Sequence, residues 1–261
     1  MLTPVLEKEL GVTCVVPHNF DTDLFGTFSG EIERKSSPLE TARLKCEAAM
    51  ELTNCDLAIS SEGSFGPHPS LFFIPAADEI LLFVDKQNQL EIPVREISTE
   101  TNFRGIEIID REQLIAFANE VGFPSHHLIL KISKGTETNT IKGIQDWRSL
   151  LTIYDDHAGK GSQCHVETDM RAFCNPTRMK IIGQATAKLI KKIQSLCPHC
   201  QTPGFGVTDH KEGLPCSLCG FPTRSVLQHI STCLKCHYTV ETFYPNGKQK
   251  EDPTFCDFCN P

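Results

Sequence analysis

Eight of the thirteen cysteines form four CxxC pairs near the C-terminus, a spacing typical of zinc ligands. A CxxC turn places two thiolates on one side of a tight turn, so two such turns can complete a tetrahedron around one zinc ion. The pairs are Cys197 with Cys200, Cys216 with Cys219, Cys233 with Cys236, and Cys256 with Cys259. The last 65 residues are therefore predicted to hold two zinc ions.

Two pairings of these CxxC turns fit the sequence. Fifteen residues separate the first two pairs and nineteen separate the last two, as in zinc ribbons. The spacing favours sequential pairing, in which the first and second pairs bind one ion and the third and fourth bind the other. The alternative is interleaved, with the first pair joined to the third and the second to the fourth. In either case protein ligands fill all four positions, which predicts structural zinc with no place for a reactive water.

Other interpretations of the cysteines stay open. An iron–sulfur cluster also uses four thiolates, although no redox partner motif accompanies these. His199 and His237 lie inside or beside the CxxC pairs, but with eight cysteines present they are predicted to be bystanders. The remaining cysteines lack metal-ligand spacing and are predicted to be small buried hydrophobic residues: Cys14, Cys46, Cys55, Cys164 and Cys174.

Composition limits the partners and the compartment. The net charge is -8, and the residues from 196 onward include five basic and six acidic side chains. Four thiolates around one zinc ion add about -2 per site, which disfavours binding to nucleic acid through phosphates. No apolar run approaches the roughly 20 residues that cross a bilayer, and the N-terminus lacks the features of a signal peptide. We expect a cytoplasmic protein with reduced cysteines.

Alternating strand and helix patterns over residues 1–195 predict an α/β domain, followed at 196–261 by a double zinc-ribbon module. The expected fold is a mixed sheet flanked by helices. Strands are predicted at 12–16, 56–60, 79–84, 90–97, 127–132 and 165–168. Helices are predicted at 4–10, 37–53, 111–121, 143–154 and 176–194.

Three polar clusters, at 21–31, 60–69 and 167–178, lie where strands of such a sheet would end, and open α/β sheets bind ligands there. In the third cluster Asn175 caps a helix, so that free amides lie beside Arg171 and Arg178. This arrangement predicts a phosphate or carboxylate site.

Each candidate also has a structural interpretation. Glu40 can close a capping box with Ser37, and Glu62 can be a simple loop carboxylate. Arg171 and Arg178 can pair with Asp169 and Glu167. His126 and His127 are predicted to bracket a strand edge.

Several motifs resemble those of an uncharacterised bacterial family known only as a domain of unknown function. The resemblance covers essentially the whole chain and implies no activity. The motifs are SEGSFGPHP, TNFRG, FPSH, ETDMRA, NPTRM, CPHC, GLPC and CDFCNP.

Residues 37–63 also resemble the nucleotide pyrophosphatases related to inosine triphosphatase and Maf proteins. Glu40 and Lys45 lie on a helix, and an apolar strand then ends in Ser61-Glu62-Gly63. The resemblance implies a magnesium ion on Glu40 and Glu62. Asp169, in the third polar cluster, is a further candidate catalytic carboxylate. The candidate phosphate-binding residues are Lys45 from this resemblance, Ser61 and Gly63 from the second polar cluster, and Arg171, Asn175 and Arg178 from the third.

The chain departs from these enzymes at its start. Their first strand leads into a loop with Thr or Ser, then Asn, then Lys, which grips the triphosphate, and this sequence has no such loop. Two hypotheses follow. The first is a magnesium-dependent hydrolase of a nucleotide or another phosphorylated small molecule. The alternative is a zinc-ribbon adaptor that binds protein or RNA. The sequence is also compatible with a homodimer.

Overall fold

A computed structural model describes residues 2–18, 20, 36–157 and 162–261. The described residues contain five α-helices: α1 (Leu2–Leu10), α2 (Pro38–Thr53), α3 (Arg111–Glu120), α4 (Trp147–His157) and α5 (Pro176–Gln194). Among these residues, no helix is both long and apolar enough to cross a membrane. The polar cluster predicted at 21–31 lies outside the described residues.

Ten strands form three separate sheets within the described residues. The first sheet has the order β1-β2-β3, the second β4-β7-β5-β6 and the third β10-β9-β8. The strands are β1 (Leu57–Pro67), β2 (Pro75–Asp85), β3 (Leu90–Ser98), β4 (Gly105–Ile108), β5 (Leu128–Lys134), β6 (Glu137–Ile144), β7 (Gln163–Thr168), β8 (Gly206–Glu212), β9 (Val226–Thr232) and β10 (Thr239–Phe243).

The first sheet carries α2 on one face. Its neighbouring strands are joined by connections too short for a parallel crossover, so they run antiparallel. Helix α2 begins as predicted, because the Ser37 hydroxyl accepts a hydrogen bond from the N–H of Glu40 at 3.3 Å and Pro38 occupies the first turn. The inner side of α2 contributes Ala42, Cys46 and Met50 to a core shared with β2.

The second sheet is antiparallel throughout its paired strands. It packs against α3 and α4 around a core that includes Leu130 and Val166, with the only tryptophan, Trp147, against the ring of Phe123 at 4.8 Å. The expectation of one mixed sheet is therefore wrong. The strands of this part of the chain are instead divided between two sheets, whose neighbouring strands run antiparallel.

Several local predictions differ from the structure. Residues 12–16 form no strand, and Val15 and Val16 are exposed. An apolar run makes a strand only where a neighbour supplies backbone hydrogen bonds, and no described segment pairs with this one. Helix α4 begins at Trp147, because residues predicted to be helical at 143–144 complete β6. Strands β4 and β6 were not predicted.

The chain divides into two compact units, one comprising Met1–Val84 and Pro93–Ala187 and the other Asp85–Ile92 and Lys188–Pro261. The second unit contains all four CxxC pairs and the third sheet. In that sheet β9 pairs antiparallel with both β8 and β10. Its strands set the positions of the CxxC turns.

Candidate metal centres and buried charge network

All four CxxC segments adopt the same turn. In each, the residue after the second cysteine donates its N–H to the carbonyl of the first cysteine, over 2.8 to 3.1 Å. That residue has a positive φ in three cases, at Gln201 (62°), Gly220 (73°) and His237 (58°). The left-handed residue lets the chain fold back tightly after the second cysteine.

Backbone amides point at the sulfurs inside these turns. The N–H of Leu218 lies 3.4 Å from the Sγ of Cys216, and the N–H of Lys235 lies 3.4 Å from the Sγ of Cys233. Hydrogen bonds to a thiolate favour the charged form. The N–H of Cys219 is the largest influence that lowers the pKa of Cys216, to about 7. Backbone donors in these two turns therefore favour the thiolate form of the first cysteine.

The sulfurs come together in two quartets. Within each quartet the sulfur atoms all lie within 4.8 Å of one another. Sulfur pairs joining different CxxC turns are 3.5 to 3.9 Å apart. The first centre consists of Cys197, Cys200, Cys233 and Cys236, and the second of Cys216, Cys219, Cys256 and Cys259. The favoured sequential pairing is wrong, and the interleaved alternative is the one found.

The third sheet explains the interleaving. The first CxxC turn precedes β8, and the third follows β9; because Gly206 of β8 lies opposite Thr232 of β9, these two turns meet at one end of the sheet. The second CxxC turn lies between β8 and β9, at the other end. Strand β10 then runs back toward that end, and Glu251 beyond it pairs with Cys216. The fourth CxxC turn therefore lies beside the second.

The donor set fits a tetrahedral metal ion. A zinc–sulfur bond of about 2.3 Å gives a sulfur–sulfur edge of about 3.8 Å in a regular tetrahedron. This edge falls within the range of the sulfur pairs. The Thr202 hydroxyl, first among several donors, lowers the pKa of Cys200 to about 6. By contrast, the pKa of Cys259 is raised to about 12, first by its hydrogen bond with Cys219 and then by burial. Four sulfurs this close resist full deprotonation unless a cation lies among them.

The histidines beside the CxxC turns belong to neither quartet. The His199 ring instead stacks on Tyr238, with centroids 5.6 Å apart and an interplanar angle of 11°. His237 supplies the left-handed position of its turn. Both centres are therefore composed of cysteine alone, as far as the described residues show.

In the first unit, one ion pair lies against Gly63 of β1 and another involves the preceding residue, Glu62. Glu79 is fully buried, and its Oε1 accepts a hydrogen bond from Nε of Arg178 at 2.5 Å. Lys45 forms an ion pair with Glu62, which is also buried. Burial raises the pKa of Glu79, against the opposing effect of Arg178, and the nearby Glu62 raises it further. We call these two ion pairs, Glu79–Arg178 and Lys45–Glu62, the buried charge network.

Four of the motifs that carry the family resemblance meet at Arg178. The Phe65 ring lies 5.3 Å from the guanidinium carbon of Arg178, and the Met170 carbonyl accepts a hydrogen bond from its Nη1 at 2.5 Å. Asn175 caps α5 as predicted, because its Oδ1 accepts the N–H of Arg178 at 3.0 Å. The Asn175 amide also donates to Oδ1 of Asn102 at 2.8 Å. Residues far apart in sequence thus share one hydrogen-bonded site.

The predicted catalytic and phosphate-binding residues are only partly brought together. Lys45 pairs with Glu62 and Gly63 lies against Arg178, with Ser61 next to Glu62 on β1, whereas Glu40 is exposed at the start of α2.

Asp169 lies in a different set of contacts. It is fully buried, and its carboxylate accepts hydrogen bonds from Arg171 and, at 3.1 Å, from the N–H of Gly143. Burial works to raise the pKa of Asp169, but the Arg171 hydrogen bonds outweigh it, so the pKa lies below its usual value. The predicted pairing of Arg171 with Asp169 is present. Glu167 pairs with Lys131 instead of an arginine.

Glu79 is not among the predicted site residues, although a recognisable sequence feature marks it. It is a carboxylate within the otherwise apolar second half of β2, Glu79-Ile80-Leu81-Leu82-Phe83-Val84. A charge in such a run is expected to be paired when the strand is buried. Its partner lies 99 residues further along the chain, beyond the reach of a local pattern.

The described residues thus define an α/β protein with antiparallel sheets and two cysteine quartets able to hold metal ions. The chain belongs to the family described as a domain of unknown function, DUF6671, whose model matches residues 45–261. No curated protein and no solved structure matches the chain. The matched range includes both quartets and the buried charge network, and it excludes Glu40.

Proposed function

We propose that this is a zinc-binding protein whose C-terminal module is folded by two structural zinc ions and serves to bind a partner rather than to catalyse a reaction. The observation that carries the proposal is the pair of interleaved cysteine quartets, whose sulfur spacing fits a tetrahedral ion. Four thiolates suit zinc, which has no redox chemistry and accepts a closed tetrahedral site.

A structural role follows from the ligand count. Four cysteines fill all positions around each ion, so no coordination site remains for a water or a substrate. The module has few buried apolar side chains besides its cysteines, of which Leu214 is one. Metal binding therefore supplies much of its folding free energy. A reducing cytoplasm is the compartment that keeps such thiolates available.

The hydrolase hypothesis receives no comparable support. Its expected magnesium ligand Glu62 is paired with Lys45, and its expected phosphate ligand Arg178 is paired with Glu79. A phosphorylated ligand would have to displace these buried ion pairs, at a cost of several kcal/mol. We therefore assign the buried charge network to stability of the first unit.

The test is the metal content of the purified full-length protein, measured by elemental analysis. We expect two zinc ions per chain, and loss of zinc in Cys216→Ser with release of the module to proteolysis. Cys55→Ser is the matched control, because Cys55 belongs to neither quartet. Trp147 fluorescence reports the first unit separately. Iron in place of zinc, or full zinc content in Cys216→Ser, would contradict the proposal.

A further inference from the structure

The second metal centre is surrounded by large apolar side chains that face solvent. Leu218, Phe221, Phe255 and Phe258 are 75%, 55%, 64% and 69% exposed. Each lies within two residues of a ligand of the second centre. We call these four residues the second-centre apolar patch. Large exposed apolar side chains grouped near one site on a protein commonly mark a binding surface.

The metal centre holds this patch in a defined shape. The rings of Phe221 and Phe258 stack, with centroids 5.3 Å apart and an interplanar angle of 12°. The Phe221 carbonyl accepts the N–H of Cys216 at 2.8 Å, which fixes it to the CxxC turn. The two phenylalanines come from segments that the second centre joins, so the patch depends on the metal. Such preorganisation lowers the entropy cost of binding.

The first centre shows that the turn itself does not require an apolar surface. There the corresponding positions, inside one CxxC pair and two residues after another, are His199 and Tyr238. They stack in the same way, but both carry polar groups. Only at the second centre does the stacked ring pair therefore consist of two fully apolar side chains.

Charge indicates what kind of partner fits. The module has a formal charge of -1 from five basic and six acidic residues, and each filled centre adds about -2. Two cations near the patch are already paired, Arg224 with Asp257 at 2.9 Å and Lys248 with Glu251 at 3.3 Å. This surface disfavours phosphate groups and favours basic side chains.

We propose that the second-centre apolar patch binds a polypeptide segment of a partner protein that carries a bulky apolar side chain flanked by Lys or Arg. The apolar side chain packs on the stacked phenylalanines, and the basic residues meet the negative charge of the filled centre. Aromatic anchors of this kind are enriched at the centres of protein interfaces. This inference rests on the proposed zinc-binding function.

The test selects binders from a random-sequence peptide display library on the zinc-loaded full-length protein. We expect the enriched peptides to combine Leu, Phe or Trp with Lys or Arg. For a synthesised enriched peptide, Phe258→Ser should weaken binding about tenfold or more, equivalent to about 1.4 kcal/mol. Leu234→Ser, which alters an exposed leucine at the first centre, should change binding less than about twofold. Added salt should weaken the interaction.

Zinc content, measured on each variant, separates the two proposals. Fewer than two zinc ions in the wild-type protein defeats the proposed function. With two ions bound, the inference is overturned if no peptide is enriched, if enriched peptides are acidic, or if Phe258→Ser binds as well as the wild type. Preferential binding of a single-stranded oligonucleotide, of lipid vesicles or of a second copy of the chain at this patch also overturns it. If Phe258→Ser loses zinc, Leu218→Ser provides the same comparison.

Discussion

Arg178 of α5 and Glu79 of β2 form a buried ion pair in which Nε lies 2.5 Å from Oε1. Glu79 is fully buried, and the Arg178 side chain is 5% exposed. The second Arg178 contact to this carboxylate, from Nη2 to Oε2, is 3.3 Å. Arg178 is therefore part of the packing of the first unit, and we expect its substitution to lower the free energy of unfolding of that unit.

The close approach of this pair to β1 depends on Gly63. A Cβ at this position would lie 2.6 Å from both Nη2 of Arg178 and Oε1 of Glu79. We expect Gly63→Ala to lower the free energy of unfolding of the first unit by roughly 1 to 3 kcal/mol, as overpacked cores do. Urea denaturation followed by Trp147 fluorescence measures it. Gly66→Ala, on the same strand with nothing within 4 Å, is the control and should cost little.

Removing one member of the ion pair should be more costly than removing both. Arg178→Met leaves the Glu79 carboxylate buried without its cation, and we expect a loss of roughly 3 to 5 kcal/mol. Glu79→Leu should be comparably destabilising. The double variant should recover part of this loss, because it buries no uncompensated charge. Additive losses in the double variant would show that the two side chains do not stabilise the fold as a pair.

The lowered pKa of Asp169 predicts that the stability of the first unit depends on pH, and substitution of Asp169 isolates this contribution. Its pKa in the folded protein lies below the usual value of 3.8, so folding favours its charged form. The stabilisation is complete above pH 3.8 and is lost as the pH falls through the lower pKa of the folded state. Asp169→Asn should therefore destabilise the first unit at neutral pH, with a difference from wild type that narrows in acid.

Urea midpoints from Trp147 fluorescence at a series of pH values measure this difference. Asp146→Asn is a useful comparison, because Asp146 is exposed and accepts its hydrogen bonds from Ser149 at the start of α4. At neutral pH, Asp146→Asn should lower the urea midpoint less than Asp169→Asn does. A difference between wild type and Asp169→Asn that is constant from neutral pH into acid would contradict the Arg171 interaction as its source.

The interleaved pairing of the cysteines can be read directly in solution. Cadmium replaces zinc in thiolate sites, and NMR correlation between each cadmium nucleus and the cysteine β-protons identifies its four ligands. We expect one cadmium signal to correlate with Cys197, Cys200, Cys233 and Cys236, and the other with Cys216, Cys219, Cys256 and Cys259. Correlation of Cys197 and Cys216 with the same nucleus would restore the sequential pairing.

Local features of the sequence were predicted correctly where short-range chemistry determines them. The Ser37 cap with Pro38 places the start of α2, and Asn175 with Pro176 places the start of α5. The four CxxC pairs likewise identified all eight members of the two quartets. Each of these features depends on atoms within a few residues of one another, so that residue type and spacing are sufficient.

Only the tertiary structure decided which distant elements meet. The spacing of the CxxC pairs favoured sequential pairing, but the antiparallel return of β9 and β10 brings alternate turns to the same end of the sheet. Glu79 could not be assigned a partner, because Arg178 reaches it across a large sequence separation. The sequence by itself determined the cysteines of the two quartets, the helix caps and most elements. Their pairing required tertiary structure, because strand order and ion-pair partners depend on contacts between segments that no local pattern encodes.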